Sequence, residues 1–195
     1  RGVQYLEVEG LSRNLSSDEI IERLGGGDMT GGSCSSLGFA YIGNKAGLDV
    51  LDFRGGTSRE FFSRNSNIQE MVGLEGVKGK VVKVKKEIAG TMELMKDLEP
   101  GKEYYLAVGR HSAIIRRTET GAEYLELQSK LKNGWTSFHN ADYGSTSDTL
   151  FKRFGCRKTV DKQFGKVWEK PVVLIDVDSL QGNEEFRKIL GYINT

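Results

Sequence analysis

Few side chains in this chain can act as a soft nucleophile or a metal-ligating imidazole. Among 195 residues there are two cysteines, Cys34 and Cys156, and two histidines, His111 and His139. A structural zinc site takes four such ligands in one place. Here it would need every one of them, with no Cys-x-x-Cys or His-x-x-x-His spacing, so neither a metal nor another cofactor is expected. Two cysteines do not make a disulfide framework, and a reducing compartment is the expected home. What remains is a thiol working with an imidazole. Cys34 follows a glycine-containing loop, Asp28-Met29-Thr30-Gly31-Gly32-Ser33, and opens a pattern with Leu37, Ala40 and Tyr41 at helical spacing. At a helix N-terminus, free N–H groups and the positive end of the dipole stabilise a thiolate. The same N–H groups, with those of the preceding loop, are placed to bind an oxyanion.

His111 stands in Gly109-Arg110-His111-Ser112-Ala113-Ile114-Ile115, where one predicted strand turns into the next. As a neutral imidazole it takes a thiol proton and returns it to a leaving amine. Each residue alone has a plainer reading: a lone cysteine usually packs a core, and a lone histidine is usually solvated or capping. A third group adds weight. Tyr124, Glu126 and Gln128 alternate onto one face of the next strand, so Glu126 or Gln128 is placed to accept from one imidazole nitrogen and fix its tautomer. Asn133, with Trp135 as a shield, is an alternative orienter. Other candidates carry less. Cys156 reads as structural, although Arg153 and Arg157 beside it would lower its pKa. His139 reads as exposed. Asp52, Arg54 and Arg59 surround a Gly-Gly turn, and the lysines of 78–86 read as a solvated strand face. The Gly-Gly-Gly at 25–27 lacks the Lys and Ser/Thr of a phosphate loop.

The elements that must position these residues are an early strand over 3–9 and a helix capped by Ser16 with Glu19 at its third position. The Cys34 helix ends at Gly47. A strand follows over 48–53, then helical turns near 58–62 and 67–73, a strand over 81–84 and a helix over 88–95. Strands then run over 103–108, 112–117 and 123–128, the last two joined by the tight turn Thr118-Glu119-Thr120-Gly121. After Trp135 the pattern weakens to a short helix at 147–150, an apolar strand at 172–176 and a C-terminal helix at 183–189. Helices first and an antiparallel sheet after them make an α+β class.

The local strings resemble a known family. Gly-Ser-Cys-Ser-Ser-Leu-Gly-Phe-Ala-Tyr (32–41), Gly-Leu-Asp-Val-Leu-Asp-Phe-Arg (47–54), Arg-His-Ser-Ala-Ile-Ile-Arg (110–116) and Tyr-Leu-Glu-Leu-Gln-Ser (124–129) look like the papain-fold toxin domains of bacterial polymorphic toxins and phage head-morphogenesis proteins. The resemblance covers about residues 28–140. It implies a papain-like fold with Cys34 as nucleophile and His111 as base. The family's third member, often Asp in Asp-Pro-Gln, falls on Glu126 in Glu-Leu-Gln, with its Gln on Gln128. Residues 1–140 then form the catalytic domain, and 141–195 a C-terminal extension packed on the same domain.

Composition speaks only against a polyanionic substrate. With 28 basic and 27 acidic residues the net charge is +1, and no global field attracts nucleic acid. No apolar run approaches the roughly 18–20 residues of a membrane span, and no signal peptide opens the chain. A start at Arg1 suggests an excised domain or processed product. The expected function is a cysteine-dependent amide hydrolase, peptidase or deamidase, working through a thioester on a protein substrate. It would be cytoplasmic, delivered into a host cytoplasm or virion-associated, with a phage head or toxin delivery protein as partner. The alternatives are a non-catalytic structural or binding domain of a phage particle, and a CHAP-like peptidoglycan amidase, whose Gly-His…Glu-x-Asn pattern also selects Glu126 and Gln128.

Overall fold

The computed structural model describes residues 2–26, 33–50 and 57–193. Its elements in chain order are α1 (Ser17–Leu24), α2 (Cys34–Lys45), α3 (Thr57–Ser63), α4 (Asn65–Glu70) with a 3-10 turn at Met71–Gly73, β1 (Gly79–Val84), α5 (Glu87–Met95), β2 (Glu103–Val108), β3 (His111–Thr118), β4 (Gly121–Glu126), β5 (Gly134–Ser137), α6 (Thr146–Lys152), β6 (Asp161–Gln163), β7 (Lys166–Trp168), β8 (Lys170–Asp176), α7 (Val177–Leu180) and α8 (Glu184–Leu190). The class is α+β, with N-terminal helices against an antiparallel sheet.

The sheet order is β1-β8-β2-β3-β4-β5, every pair antiparallel. Strand alternation divides the interior into two cores. Tyr105, Ile114, Leu125, Leu127, Val173 and Ile175 face the first, shared with α1, α2 and α8. Leu106, Val108, Ala113, Ile115, Tyr124 and Leu174 face the second, shared with Phe138, Leu150 and Phe154. Helix α2 is buried all along Ser35–Asn44. It can lie this close to the sheet because position 38 is glycine: a Cβ there would stand 2.8 Å from the Tyr105 ring. Phe39 stacks on the same ring at 4.3 Å between centroids.

Several boundaries follow the sequence signals. Ser16 and Glu19 form the reciprocal capping box of α1, and Asn183 caps α8. The β3–β4 turn closes with Thr118 opposite Gly121. Others differ. The expected strand over 3–9 is absent: only Gly10 bridges Leu48, and Leu6 N–H instead donates to Gly191 O at 3.0 Å. Tyr5 and Leu6 are about half exposed, at 51% and 54%, so alternation there marks a strap along the surface and not a sheet face. The expected strand over 48–53 shows that bridge at Leu48, and its 51–53 part lies outside the described residues. Strand β4 ends at Glu126, leaving Gln128 beyond it. Strand β8, from the 141–195 segment, fills the sheet between β1 and β2. Among the described residues no helix is long and apolar enough to cross a membrane.

Candidate functional site

Cys34 is the first residue of α2 and is partly exposed. No acidic side chain occupies the first turn, so the positive helix end faces the cleft uncompensated. Ser33 precedes it without a side-chain cap bond; its hydroxyl accepts from Gln128 Nε2 at 2.7 Å. One residue into the helix, the Ser35 and Ser112 hydroxyls meet at 3.3 Å. That contact sets the first turn of α2 level with the start of β3, where Ser112 follows His111. The loop of 27–32, expected to supply oxyanion-binding N–H groups, lies outside the described residues, as do Asp52 and Arg54.

His111 belongs to the other face. It alternates with Ala113 and Ile115, which fill the second core, and it is only 9% exposed. Its ring meets the Phe154 ring edge-on, centroids 5.0 Å apart. Burial pushes its pKa down from the ordinary 6.5 to about 3; the Arg153 charge adds to this, and Glu126 partly opposes it. The imidazole is therefore neutral at pH 7, the form that accepts a proton, while its apolar surroundings make the charged form costly.

Glu126 faces the same side, with Tyr124. Its carboxylate is clamped by Arg153, Nε to Oε2 at 2.7 Å and Nη2 to Oε1 at 2.8 Å, and accepts from Gln128 N–H at 2.9 Å. Burial would raise this carboxyl, but those hydrogen bonds, the Arg153 charge and the neighbouring His111 hold it below the usual range. Glu126 and Gln128 thus part company: the first pairs with Arg153 on the His111 side, and the second turns toward Ser33 on the Cys34 side.

The paired register of β3 and β4 ends at Ile115 opposite Tyr124. Past it, toward the start of β3, a small cavity opens between the two strands, of about 10 Å³, bordered by Cys34, His111, Glu126 and Gln128. Four residues named from three separate stretches of sequence therefore share one cavity. A larger cleft of about 290 Å³ also begins at Cys34 and His111 and runs past Gly109 and Arg110 to Glu87, Arg157 and Lys170.

The remaining candidates lie apart or are engaged elsewhere. Asn133 is held in its own loop, accepting from Ser129 N–H and donating to Ser129 O, each at 2.9 Å. Trp135 lies under Arg116, 3.8 Å from guanidinium carbon to ring centroid, and shields Arg116 instead of the thiol. Cys156 is buried, and burial, with Glu87 nearby, pushes its thiol up to about 12. The expected lowering by Arg153 and Arg157 is not found, because Arg153 spends its charge on Glu126 and Arg157 pairs with Asp161 at 2.6 Å. His139 and Arg59 are exposed.

One role carried no signal in the sequence. Arg153-Phe154-Gly155-Cys156, just after α6, forms a clasp beneath His111. Arg153 holds Glu126, the Phe154 ring meets His111, and Phe154 O accepts from Arg110 N–H at 2.8 Å. Gly109 makes this approach feasible: its φ is +62°, and a Cβ there would come within 2.5 Å of Phe154 O. Among the described residues no three His, Cys, Asp or Glu side chains converge as a metal site. No family model, curated protein or solved structure matches the chain.

Proposed function

We propose that this chain is a papain-like cysteine hydrolase that cleaves or deamidates a protein substrate through a thioester. The observation that carries this reading is the shared cavity of Cys34, His111, Glu126 and Gln128, which has Cys34 and His111 in common with a cleft large enough for a side chain and its flanking backbone. In this mechanism the Cys34 sulfur attacks the amide carbon while His111 takes the thiol proton. The tetrahedral oxyanion is held at the N-terminus of α2. Collapse expels the amine with the proton from His111 and leaves an acyl-cysteine, which a water deprotonated by His111 then hydrolyses. Glu126 stabilises the transient imidazolium, and Gln128 fixes Ser33 beside the nucleophile.

The test is turnover of a mixed peptide and glutamine-amide library, followed by mass spectrometry, for wild type, Cys34→Ala and His111→Ala. New termini or a +1 Da change with wild type, absent from both variants, supports the reading. Turnover surviving in Cys34→Ala overturns it. A second reading, a non-catalytic binding domain, is favoured by the burial of His111 against Phe154 and its depressed pKa. It predicts no turnover by any of the three proteins.

A further inference from the structure

The larger cleft carries charge that the proposed chemistry leaves unused. Besides Cys34 and the neutral His111, its ionisable lining among the described residues is Arg110, Arg157, Lys170 and Glu87. Glu87 is the only carboxylate of that lining, and it is 6% exposed. Its Oε1 accepts from Arg157 N–H at 3.3 Å, and it lies near enough to raise the Cys156 thiol, so it balances at most one of the three cations. Arg157 and Lys170 share one oxygen of Asp161, at 2.6 and 3.1 Å. One carboxylate does not neutralise two cations. Arg110 makes no ion pair among the described residues, is exposed, and precedes His111 directly. Its backbone is pinned to Phe154 O, and its side-chain stem runs beside Gly155.

A concave, walled surface with surplus positive charge concentrates anions, and a guanidinium offers a carboxylate two parallel donors. We infer that the cleft beside Cys34 selects an acidic peptide segment, with Arg110 as the specificity-determining residue that receives an Asp or Glu side chain next to the attacked amide. This rests on the proposed hydrolase site for its meaning, but recognition is separable from turnover.

The experiment uses peptidyl chloromethyl ketones that differ in one side chain, Glu, Gln or Lys, and follows labelling of Cys34 by intact mass. The sulfur displaces chloride to form a thioether, so only an accessible thiol is required and catalytic competence is not. The Glu probe is expected to label Cys34 about tenfold faster than the Gln probe at low salt, and the Lys probe slowest, with the spread shrinking as salt rises. Arg110→Glu should invert the order, and Arg110→Lys should retain it in weakened form. Equal rates for the three probes, an order unchanged in Arg110→Glu, or no labelling of Cys34 by any probe overturns the inference. Protection of Cys34 by a single-stranded oligonucleotide at concentrations where an acidic peptide gives none also overturns it, by assigning the cleft to nucleic acid. Failure of the hydrolase reading would appear differently: ordered labelling without turnover of any amide.

Discussion

The two faces of the sheet hold the two halves of the candidate site in opposite ways. On the α2 face Cys34 is surrounded by small side chains, Ser33, Ser35, Gly38 and Ser112, and stays partly open. On the α6 face His111 is sealed by an aromatic ring and flanked by a clamped ion pair. The proposed nucleophile is thus positioned by backbone, a helix end resting on a sheet end, and remains partly exposed. The proposed base is positioned by side chains from a distant part of the chain and is largely buried, with one edge on the cleft. In the proposed reading, access is built where the substrate would arrive, and rigidity where the proton would be handled.

That contrast makes the α6 face the more fragile to substitution. The largest effect is expected from Arg153→Ala, which leaves the Glu126 carboxylate buried without its partner; about 3 kcal/mol should be lost in urea unfolding. The double variant Arg153→Ala with Glu126→Gln should recover part of that loss, since the stranded charge is gone. A single-variant loss no larger than that of an exposed pair would mean the clamp is solvated. Next comes Gly109→Ala, which combines a left-handed φ with overlap on Phe154 O. It should cost about 2 kcal/mol, against about 1 kcal/mol for Gly101→Ala, where φ is also positive but nothing stands within 4 Å. Equal costs would remove the close approach from the account. On the α2 face, Ser35→Ala should cost about 1 kcal/mol by leaving Ser112 short of its partner, with Ser35→Ala and Ser112→Ala together costing less than their sum.

The faces should also differ in their response to acid. His111 has a folded pKa below its ordinary 6.5, so as pH falls past 6.5 the unfolded chain gains a proton that the folded chain refuses until about 3. Stability is therefore lost progressively across that window. Glu126 adds to the loss further down: its folded pKa is depressed, so its contribution is present above the ordinary 4.5 and disappears as pH falls through the folded value. His111→Gln should flatten the stability profile between about pH 6.5 and 5, where carboxylates titrate little. A profile of the same slope in that variant would place the titration elsewhere.

The α2 face was the legible one. Its signals are local: a capping box at Ser16 and Glu19, apolar spacing after Cys34, and a two-residue turn between Thr118 and Gly121. Each is decided by residues within a few positions of one another. The α6 face depends on contacts across long separations. Arg153 reaches Glu126 over 27 residues, and β8 inserts between β1 and β2 in a sheet whose other strands precede it. Neither leaves a periodic mark. Alternation correctly put Tyr124 and Glu126 on one face, but it extended that face to Gln128 because nothing local announces where β4 stops. Asn133 suited an orienter by residue type, yet its amide closes its own loop, an arrangement that shows only when Ser129 and Asn133 are seen together.

The central claim is that Cys34 and His111, approaching the sheet end from opposite faces, act on one another. The most direct measurement is the rate of iodoacetamide alkylation of each cysteine, read by peptide mass against pH, in wild type and in His111→Ala. The account predicts that Cys34 is labelled much faster than the buried Cys156, and that loss of His111 alters the rate and pH dependence at Cys34 while leaving Cys156 unchanged. Equal labelling of the two thiols, or a Cys34 profile indifferent to His111, would contradict it.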